Sequence, residues 1–88
     1  MEIDFKGSFE RDIRNIHDRK LLQKLKNIIE AVGQAKNVSE IAGIKKIRTD
    51  EAYYRIRTGD YRIGIKVENN IIIFVRFLHR KEIYRYFP

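Results

Sequence analysis

The hydrophobic period of this chain changes from about 3.6 to about 2 residues after Gly43, and that change limits how the chain can fold. From Phe9 to Val32, apolar residues recur at the spacing of one helix face; after Gly43, they alternate with polar residues as in half-buried strands. Helices followed by strands predict an α+β fold. We expect two N-terminal helices packed on one face of a small, mainly antiparallel β-sheet.

One short strand and two helices are predicted before the change of period. The strand runs from Glu2 to Phe5, where polar and apolar residues alternate. Ser8 and Asp18 are the expected N-caps, since their oxygens can accept the first free N–H groups of a helix. Gly33 lies where the second helix is expected to end with a positive φ. The apolar faces of the two helices are Phe9, Ile13 and Ile16, then Leu21, Leu22, Leu25, Ile28, Ile29 and Val32.

Four strands are predicted after the change of period, at Ile44 to Arg48, Tyr53 to Arg57, Tyr61 to Val67 and Ile71 to Phe77. The hairpins between the last three contain Thr58-Gly59-Asp60 and Glu68-Asn69-Asn70, which supply the residues that tight turns need for positive φ. The tail from Arg80 to Phe87 is either a short helix or an irregular extension. Because no repeat or linker interrupts the pattern, we interpret residues 1–88 as one domain.

Several classes of protein are excluded by residues that the sequence lacks. Without cysteine there can be no disulfide, thiolate nucleophile or Cys-based metal site, which is compatible with a cytoplasmic location. The longest apolar run, Ile71 to Val75, is five residues, so no membrane span is expected. The N-terminal MEIDFKG has no basic segment followed by an apolar stretch, so no secretory signal is expected either.

The basic residues are concentrated in the second half of the chain. There are 19 Lys and Arg against 12 Asp and Glu, a formal net charge of +7, and residues 53–88 hold eight of the basic and three of the acidic side chains. A basic surface of this kind indicates a polyanion or an acidic protein as the partner. Charge that serves only solubility is the alternative.

Strand alternation directs most of these basic residues to one face of the sheet, because residues two apart share a face. The expected core row of one strand is Tyr61, Ile63, Ile65 and Val67. The outward face then carries Arg55, Arg57, Arg62 and Lys66. On the last strand the expected core row is Ile71, Ile73, Val75 and Phe77, which leaves Arg76 outward as well. The border of this face holds His79, Arg80, Lys81, Tyr84 and Arg85.

A face of guanidinium groups edged by aromatic rings suits single-stranded nucleic acid, since charges pair with phosphates and rings stack on bases. A solvated sheet face is the alternative. Other chemistries lack a motif: there is no HExxH, Walker A loop or G-x-S-x-G. His17 is expected at the surface, and Asp50 and Glu51 in a solvated turn. Two histidines without a carboxylate cluster make a poor metal site, so no metal or other cofactor is expected.

Two blocks carry a family resemblance: YYRIRTGDYRIGIKV, from Tyr53 to Val67, and HRKEIY, from His79 to Tyr84. They resemble the RelE/ParE superfamily of type II toxin–antitoxin toxins, the RelE-like branch in particular, and the resemblance covers nearly the whole chain. It implies the RelE-like microbial RNase fold. It also implies a cytoplasmic mRNA interferase, an endoribonuclease that cuts message in the ribosomal decoding site and so inhibits translation.

The mechanism implied by the resemblance needs no metal: the 2′-OH of the RNA attacks the adjacent phosphate. The partners implied are the ribosome, mRNA and an acidic antitoxin, with no membrane, and the toxin is a monomer alone or a heterocomplex with its antitoxin. A ParE-like inhibitor of DNA gyrase, or an inactive module that binds nucleic acid or antitoxin, is the alternative.

The resemblance implies site residues by position in the two blocks: Arg55, Arg57, Arg62, Arg80 and Tyr84. With His79 and Lys81, the candidates for the base, they form the expected catalytic set. The expected RNA-binding set is Lys66, Arg76 and Arg85, which strand alternation places on or beside the outward face. Tyr84 is expected to stack on a base. RelE proper tends to carry lysine at the first two catalytic positions, and a guanidinium cannot act as a general base. His79 or Lys81 is therefore expected to be the base.

Overall fold

The computed structural model describes residues 1–47 and 52–88, and its elements follow the predicted order. These are β1 (Glu2–Phe5), α1 (Gly7–Arg14), α2 (Arg19–Gln34), a 3₁₀ turn (Val38–Glu40), β2 (Ile44–Lys46), β3 (Tyr53–Thr58), β4 (Tyr61–Glu68), β5 (Ile71–His79) and α3 (Arg80–Tyr86). The predicted α+β class is confirmed, and the tail is a helix. The predicted end of the β2 strand at Arg48 and the turn at Asp50 and Glu51 lie outside the described residues.

Five strands form one sheet in the order β1-β5-β4-β3-β2. β1 is parallel to β5 and the other neighbours are antiparallel, so the prediction of a mainly antiparallel sheet is confirmed. The two predicted hairpin turns have the expected backbone, with positive φ at Gly59, Asn69 and Asn70. These tight turns fix the registers of β3 against β4 and of β4 against β5.

Helices α1 and α2 cover one side of the sheet, which we call the helix face. Asp18 caps α2 as predicted, since its carboxylate accepts the N–H groups of Lys20 and Leu21. Among the described residues, no helix is long and apolar enough to cross a membrane. The core between helices and sheet consists of Phe9, Leu25, Val32, Ile41, Ile56, Ile63, Ile65, Ile72, Phe74 and Phe77.

Two predicted helix ends are wrong because tertiary contacts outweigh the local signal. Ser8 lies inside α1, whose N-cap is Lys6, and the Ser8 hydroxyl instead donates to the Val75 carbonyl at 2.6 Å. Gly33 lies inside α2, which ends with Ala35 as its C-cap. A Cβ on Gly33 would lie 3.3 Å from Cδ1 of Ile3, so the glycine permits close packing of α2 on β1.

The predicted core row of β5 is wrong, since Ile72 and Phe74 are fully buried together with Phe77. The reason is a bulge: Gly64 pairs with Arg76 but Ile65 pairs with Phe74, so one residue of β5 has no partner on β4. An unpaired residue reverses the alternation of a strand. Residues before the bulge therefore face the opposite way from the prediction, whereas Phe77 and Arg76 face as predicted.

Helix α3 lies against the other side of the sheet, which we call the distal face. Ile83 and Phe87 are buried there at 0% and 5% exposure. The Phe87 ring lies over Gly64, where an added Cβ would meet ring atoms at 2.7 Å, and it contacts Tyr53 edge to face with the ring centroids 5.6 Å apart. The face that we expected to be open is thus partly covered by the chain's own C-terminus.

We predict that Gly64→Ala destabilises the protein by about 1–3 kcal/mol, because the new methyl group must displace the Phe87 ring. Thermal unfolding measures the loss. The matched control is Gly7→Ala in the first turn of α1, where an added Cβ meets nothing within 4 Å. That control should leave the melting temperature unchanged or raise it. A Gly64→Ala variant as stable as the parent would show that α3 is not held at this contact.

Candidate active site

The distal face carries a cationic cleft where β2, β3 and β4 lie side by side. Strand pairing places Lys45 beside Arg55, and Arg57 beside Arg62, so the four side chains share one side of the sheet. The cleft has a volume of about 230 Å³ and is lined by Gly43, Lys45, Arg55, Arg57, Arg62 and Tyr84. Four of its six lining residues are cationic, so it is suited to an anion.

Tyr84 of α3 closes one side of this cleft. The Arg55 guanidinium carbon lies 4.5 Å from the centre of the Tyr84 ring, within the range of a cation–π contact. Tyr84 itself is 69% exposed. It keeps this position because its neighbour Ile83 is buried against the distal face, which anchors α3 and leaves the tyrosine at the rim.

Arg62 is held by backbone carbonyls of the preceding hairpin. Its Nη1 donates to the carbonyl oxygens of Gly59 at 2.8 Å and Tyr61 at 2.9 Å. A guanidinium has five N–H donors, so others remain for a ligand in the cleft. The two bonds fix the orientation of the group before any ligand arrives, which lowers the entropy lost on binding.

The start of β2 approaches β3 closely beside Arg57. The Arg57 N–H donates to the Gly43 carbonyl at 3.1 Å, and a Cβ on Gly43 would lie 3.1 Å from the Arg57 carbonyl oxygen. Gly43 also has a φ of 75°, which side chains rarely adopt. Glycine at this position therefore lets the edge strand, and Lys45 on it, lie against the arginine row.

His79 lies away from the cleft. It pairs with Tyr61 across β4 and β5, and the two rings meet edge to face with centroids 5.6 Å apart, on the helix face. Its Nδ1 accepts the N–H of Lys81 at 3.1 Å, so the imidazole caps α3. The expected position at the border of the arginine face is wrong, because His79 lies two residues after Phe77, and regular alternation along this part of β5 places both side chains on the helix face.

Arg76, expected to contact RNA, instead ties two helices to the sheet. Its Nε and Nη2 donate to the Asp12 carboxylate of α1 at 2.8 and 3.0 Å, and these hydrogen bonds raise the pKa of the guanidinium. The guanidinium carbon also lies 5.6 Å from the Tyr86 ring of α3. Asp12 accepts the Phe77 N–H as well, at 2.9 Å, and so completes the edge of β5.

The other expected site residues lie outside the arginine cleft. Lys66 forms an ion pair with Glu68 at 2.5 Å, which lowers the pKa of that carboxyl. The Arg80 N–H donates to the Asp60 carbonyl at 2.7 Å. Lys81 and Arg85 are exposed on α3 and do not line the cleft. The structure thus brings together Arg55, Arg57, Arg62 and Tyr84 of the predicted set.

Lys45 is the cleft residue that the sequence analysis missed. It lies on β2, which is three residues long and gives too short an alternation to identify an outward row. The alternation of Ile44 with Lys45 indicated that the two side chains lie on opposite faces of the sheet. Assigning Lys45 to the arginine face also requires its pairing with Arg55, a contact between strands that the sequence does not specify.

The described lining of the cleft offers donors of hydrogen bonds. Among the lining residues that the structure describes, none is a carboxylate or an imidazole, the side chains that bind Mg²⁺ or Zn²⁺. Within residues 1–47 and 52–88, no group of three or more His, Cys, Asp or Glu side chains could hold a metal ion. Cations fixed around an open cleft can instead neutralise phosphate oxygens directly.

Comparisons with known proteins give one consistent result. A family model described as "ParE toxin of type II toxin-antitoxin system, parDE" matches residues 3–84. The chain is 44% identical to Toxin RelE3 of Methanocaldococcus jannaschii over 91 aligned positions, which cover all of both chains. It superimposes on the RelB-RelE antitoxin-toxin complex from Methanococcus jannaschii with a TM-score of 0.81, at 41% identity, covering 97% of this chain and 99% of that one. YafQ from E. coli shares the fold with a TM-score of 0.74 at 15% identity, covering 94% of this chain and 97% of YafQ.

We predict that Arg76→Met lowers the free energy of unfolding by about 2 kcal/mol, because it leaves the largely buried Asp12 carboxylate without its charged partner. Urea denaturation measures the change. Arg57→Met is the matched control on the same sheet face: Arg57 is exposed, and the substitution should change stability by less than about 0.5 kcal/mol. Equal losses in the two variants would contradict a structural role for Arg76.

Proposed function

Since the chain belongs to the RelE/ParE superfamily of toxins of type II toxin–antitoxin systems, we propose that it inhibits translation by cutting mRNA in the ribosomal decoding site. The observation that carries this proposal is the convergence of three guanidinium groups and an exposed tyrosine on one cleft. Guanidinium groups bind phosphates, and an aromatic ring stacks on a base. Together the guanidinium groups and the tyrosine can bind the phosphate and the base of one nucleotide in a single strand.

The proposed reaction is a transesterification within the RNA strand. The 2′-oxygen loses its proton and bonds to the adjacent phosphorus, and the bond from phosphorus to the 5′-oxygen breaks. One product ends in a 2′,3′-cyclic phosphate and the other begins with a 5′-hydroxyl. Negative charge builds on the phosphate oxygens in the transition state, where fixed cations stabilise it. Arg55, Arg57 and Arg62 supply those cations.

Tyr84 positions the substrate in this proposal. Stacking of a base on an aromatic ring contributes about 1–3 kcal/mol and tolerates any base. The cleft has a volume of about 230 Å³ and is partly open to solvent, so a flexible RNA bound there keeps freedom to leave the geometry in which the 2′-oxygen is in line with the bond that breaks. A ribosome that holds the message in that geometry would lower the entropic barrier, which is why we propose ribosome-dependent cleavage.

Inhibition of DNA gyrase is the second candidate function, because the matching family model is described as a ParE toxin. A gyrase inhibitor that cleaves nothing does not need cations fixed around a phosphate-sized cleft. The orientation of Arg62 by two carbonyls and the contact of Arg55 with Tyr84 therefore favour the nuclease.

We also propose an acidic antitoxin as the partner that neutralises the toxin. The structure that superimposes at 41% identity is described as an antitoxin-toxin complex. In this chain the cleft concentrates positive charge, which attracts acidic segments and would otherwise bind RNA without selectivity. A segment that covers Lys45, Arg55, Arg57 and Arg62 would block the proposed active site.

We predict that the purified protein cuts mRNA bound to ribosomes and leaves 5′-hydroxyl ends. A 2′-O-methyl group on the nucleotide before the cut should abolish cleavage, because the attacking oxygen is then blocked. Primer extension and end labelling measure both outcomes. Cleavage that persists on the 2′-O-methyl message would contradict the transesterification, and inhibition of gyrase supercoiling without any RNA cleavage would support the second candidate.

The control for this experiment is Arg62→Ala, which removes one transition-state cation. We expect the cleavage rate to fall by about 10²–10³, while binding to ribosomes loaded with the 2′-O-methyl message falls much less. The side chain lies on the distal face and outside the core, so the fold should persist. Circular dichroism checks this.

We predict that antitoxin binding weakens with salt, because exposed charges dominate the contact. The dissociation constant should rise about tenfold or more between 50 mM and 500 mM NaCl. Replacing Arg55 and Arg57 together by Gln should reduce both the affinity and its salt dependence, as calorimetry can measure. The matched control is Arg11→Gln and Arg14→Gln on α1. If affinity does not change with salt, the antitoxin binds elsewhere on the protein.

A further inference from the structure

The proposed reaction requires a group that takes the proton of the 2′-hydroxyl, and the cleft limits which group that can be. Three of its lining side chains are guanidinium groups, which stay protonated in proteins. His79 and Lys81, the bases expected from the sequence, do not line the cleft. Lys45 is the one ammonium group among the lining residues.

The position of Lys45 is set by the pairing of β3 with β2 on one side and with β4 on the other. It lies directly across from Arg55, and Arg55 lies across from Gly64 on the next strand. Its side chain therefore projects from the distal face beside the guanidinium that contacts Tyr84. Lys45 thus lines the same cleft as the three arginines, where a phosphate held by them would lie.

The neighbouring residue, Lys46, provides a natural comparison. It pairs with Tyr54, and its Nζ lies 5.9 Å from the centre of the Tyr54 ring. Alternation along β2 directs it to the helix face, away from the arginines. The two lysines thus have the same chemistry and adjacent positions but lie on opposite sides of one sheet.

We propose that Nζ of Lys45 is the general base of the reaction, an inference that rests on the proposed function. The neutral amine accepts the proton of the 2′-hydroxyl as the 2′-oxygen bonds to phosphorus. The 5′-oxygen leaves with the electron pair of its bond to phosphorus and takes a proton from water. Lys45 then loses its extra proton to solvent, which restores the neutral amine.

This assignment divides the cationic residues by chemistry. Arg55, Arg57 and Arg62 remain charged through the cycle and stabilise the anionic phosphate, whereas Lys45 changes its protonation state. Arginine at both central β3 positions leaves the base to another element. Of the two strands beside β3, β4 contributes Arg62 to the cleft and β2 contributes Lys45. The edge strand supplies it because its pairing places Lys45 beside Arg55.

The test compares Lys45→Arg with Lys46→Arg on ribosomes carrying a defined message. Lys45→Arg keeps the positive charge but removes the group that can lose a proton. We expect its cleavage rate to fall about 10²–10⁴-fold, the usual contribution of a general base, with unchanged binding to ribosomes that carry the 2′-O-methyl message. Lys46→Arg should cleave at the rate of the parent protein.

The dependence of the rate on pH provides a readout that a purely structural role would not change. The parent rate should rise with pH because only a neutral amine can accept a proton, and Lys45→Arg should lack that rise. Arg55, Arg57 and Arg62 line the cleft around Lys45 and stay charged, and the Tyr84 phenol is the other ionisable side chain in the described lining. Tyr84→Phe should therefore retain the rise. In Lys45→Ala, added methylamine should restore cleavage in proportion to its concentration.

The possible failures are distinguishable. If the parent protein does not cut ribosome-bound message, the proposed function fails. If the parent cuts and Lys45→Arg cuts within about threefold of it, or if Lys45→Arg loses ribosome binding, Lys45 is a charge or a contact and not the base. If methylamine fails to rescue Lys45→Ala while the parent is active, the assignment is also wrong.

Discussion

A single unpaired residue in β5 determines how the helices and the sheet fit together. The register of β5 against β4 skips from Arg76 to Phe74, so Ile72, Phe74 and Phe77 can all face the core although they do not alternate regularly. The edge of β5 beyond β1 is then completed by α1, where Ser8 binds the Val75 carbonyl and Asp12 binds the Phe77 N–H. These bonds satisfy edge groups that would otherwise be exposed to solvent or to another strand. They also place Asp12 beside Arg76, which reaches from the edge toward α3.

The distal face of the sheet has two halves with different surroundings. Over Gly64 it is covered by Phe87, and Ile83 is buried beside it, so α3 is docked by apolar contact. Over β2 and β3 it is open, and the arginine cleft lies there. Tyr84 lies at the boundary between these halves because the buried Ile83 precedes it in α3 and the buried Phe87 follows directly after the end of α3. The apolar contacts of Ile83 and Phe87 therefore hold Tyr84 in position at the edge of the arginine cleft.

Much of this arrangement could be predicted from the sequence, because period and turn chemistry are local. The alternation through Tyr61 and Ile63, together with the hairpin at Gly59, is enough to put Arg57 and Arg62 on one face. The β5 bulge could not be predicted, since it arises from competition among apolar residues that occur at every position from Ile71 to Val75. The location of His79 does not depend on the bulge, since it lies two residues after the buried Phe77 and shares the helix face with it. Lys45 was missed for a different reason: in a three-residue edge strand, the face to which each side chain points cannot be assigned until the pairing with the neighbouring strand is known.

Some cationic side chains of this protein are paired with carboxylates, whereas others lie together in the cleft. The net charge of the chain does not distinguish the two groups. Arg76 and Lys66 are paired with Asp12 and Glu68, so their charges are largely offset by those carboxylates and attract a ligand less. The cleft cations lie together on one face instead, and like charges at this spacing repel one another. An anion in the cleft relieves that repulsion, whether it is a phosphate or a carboxylate. The proposed substrate and the proposed antitoxin would therefore compete for the same stabilisation, so that binding of one excludes the other.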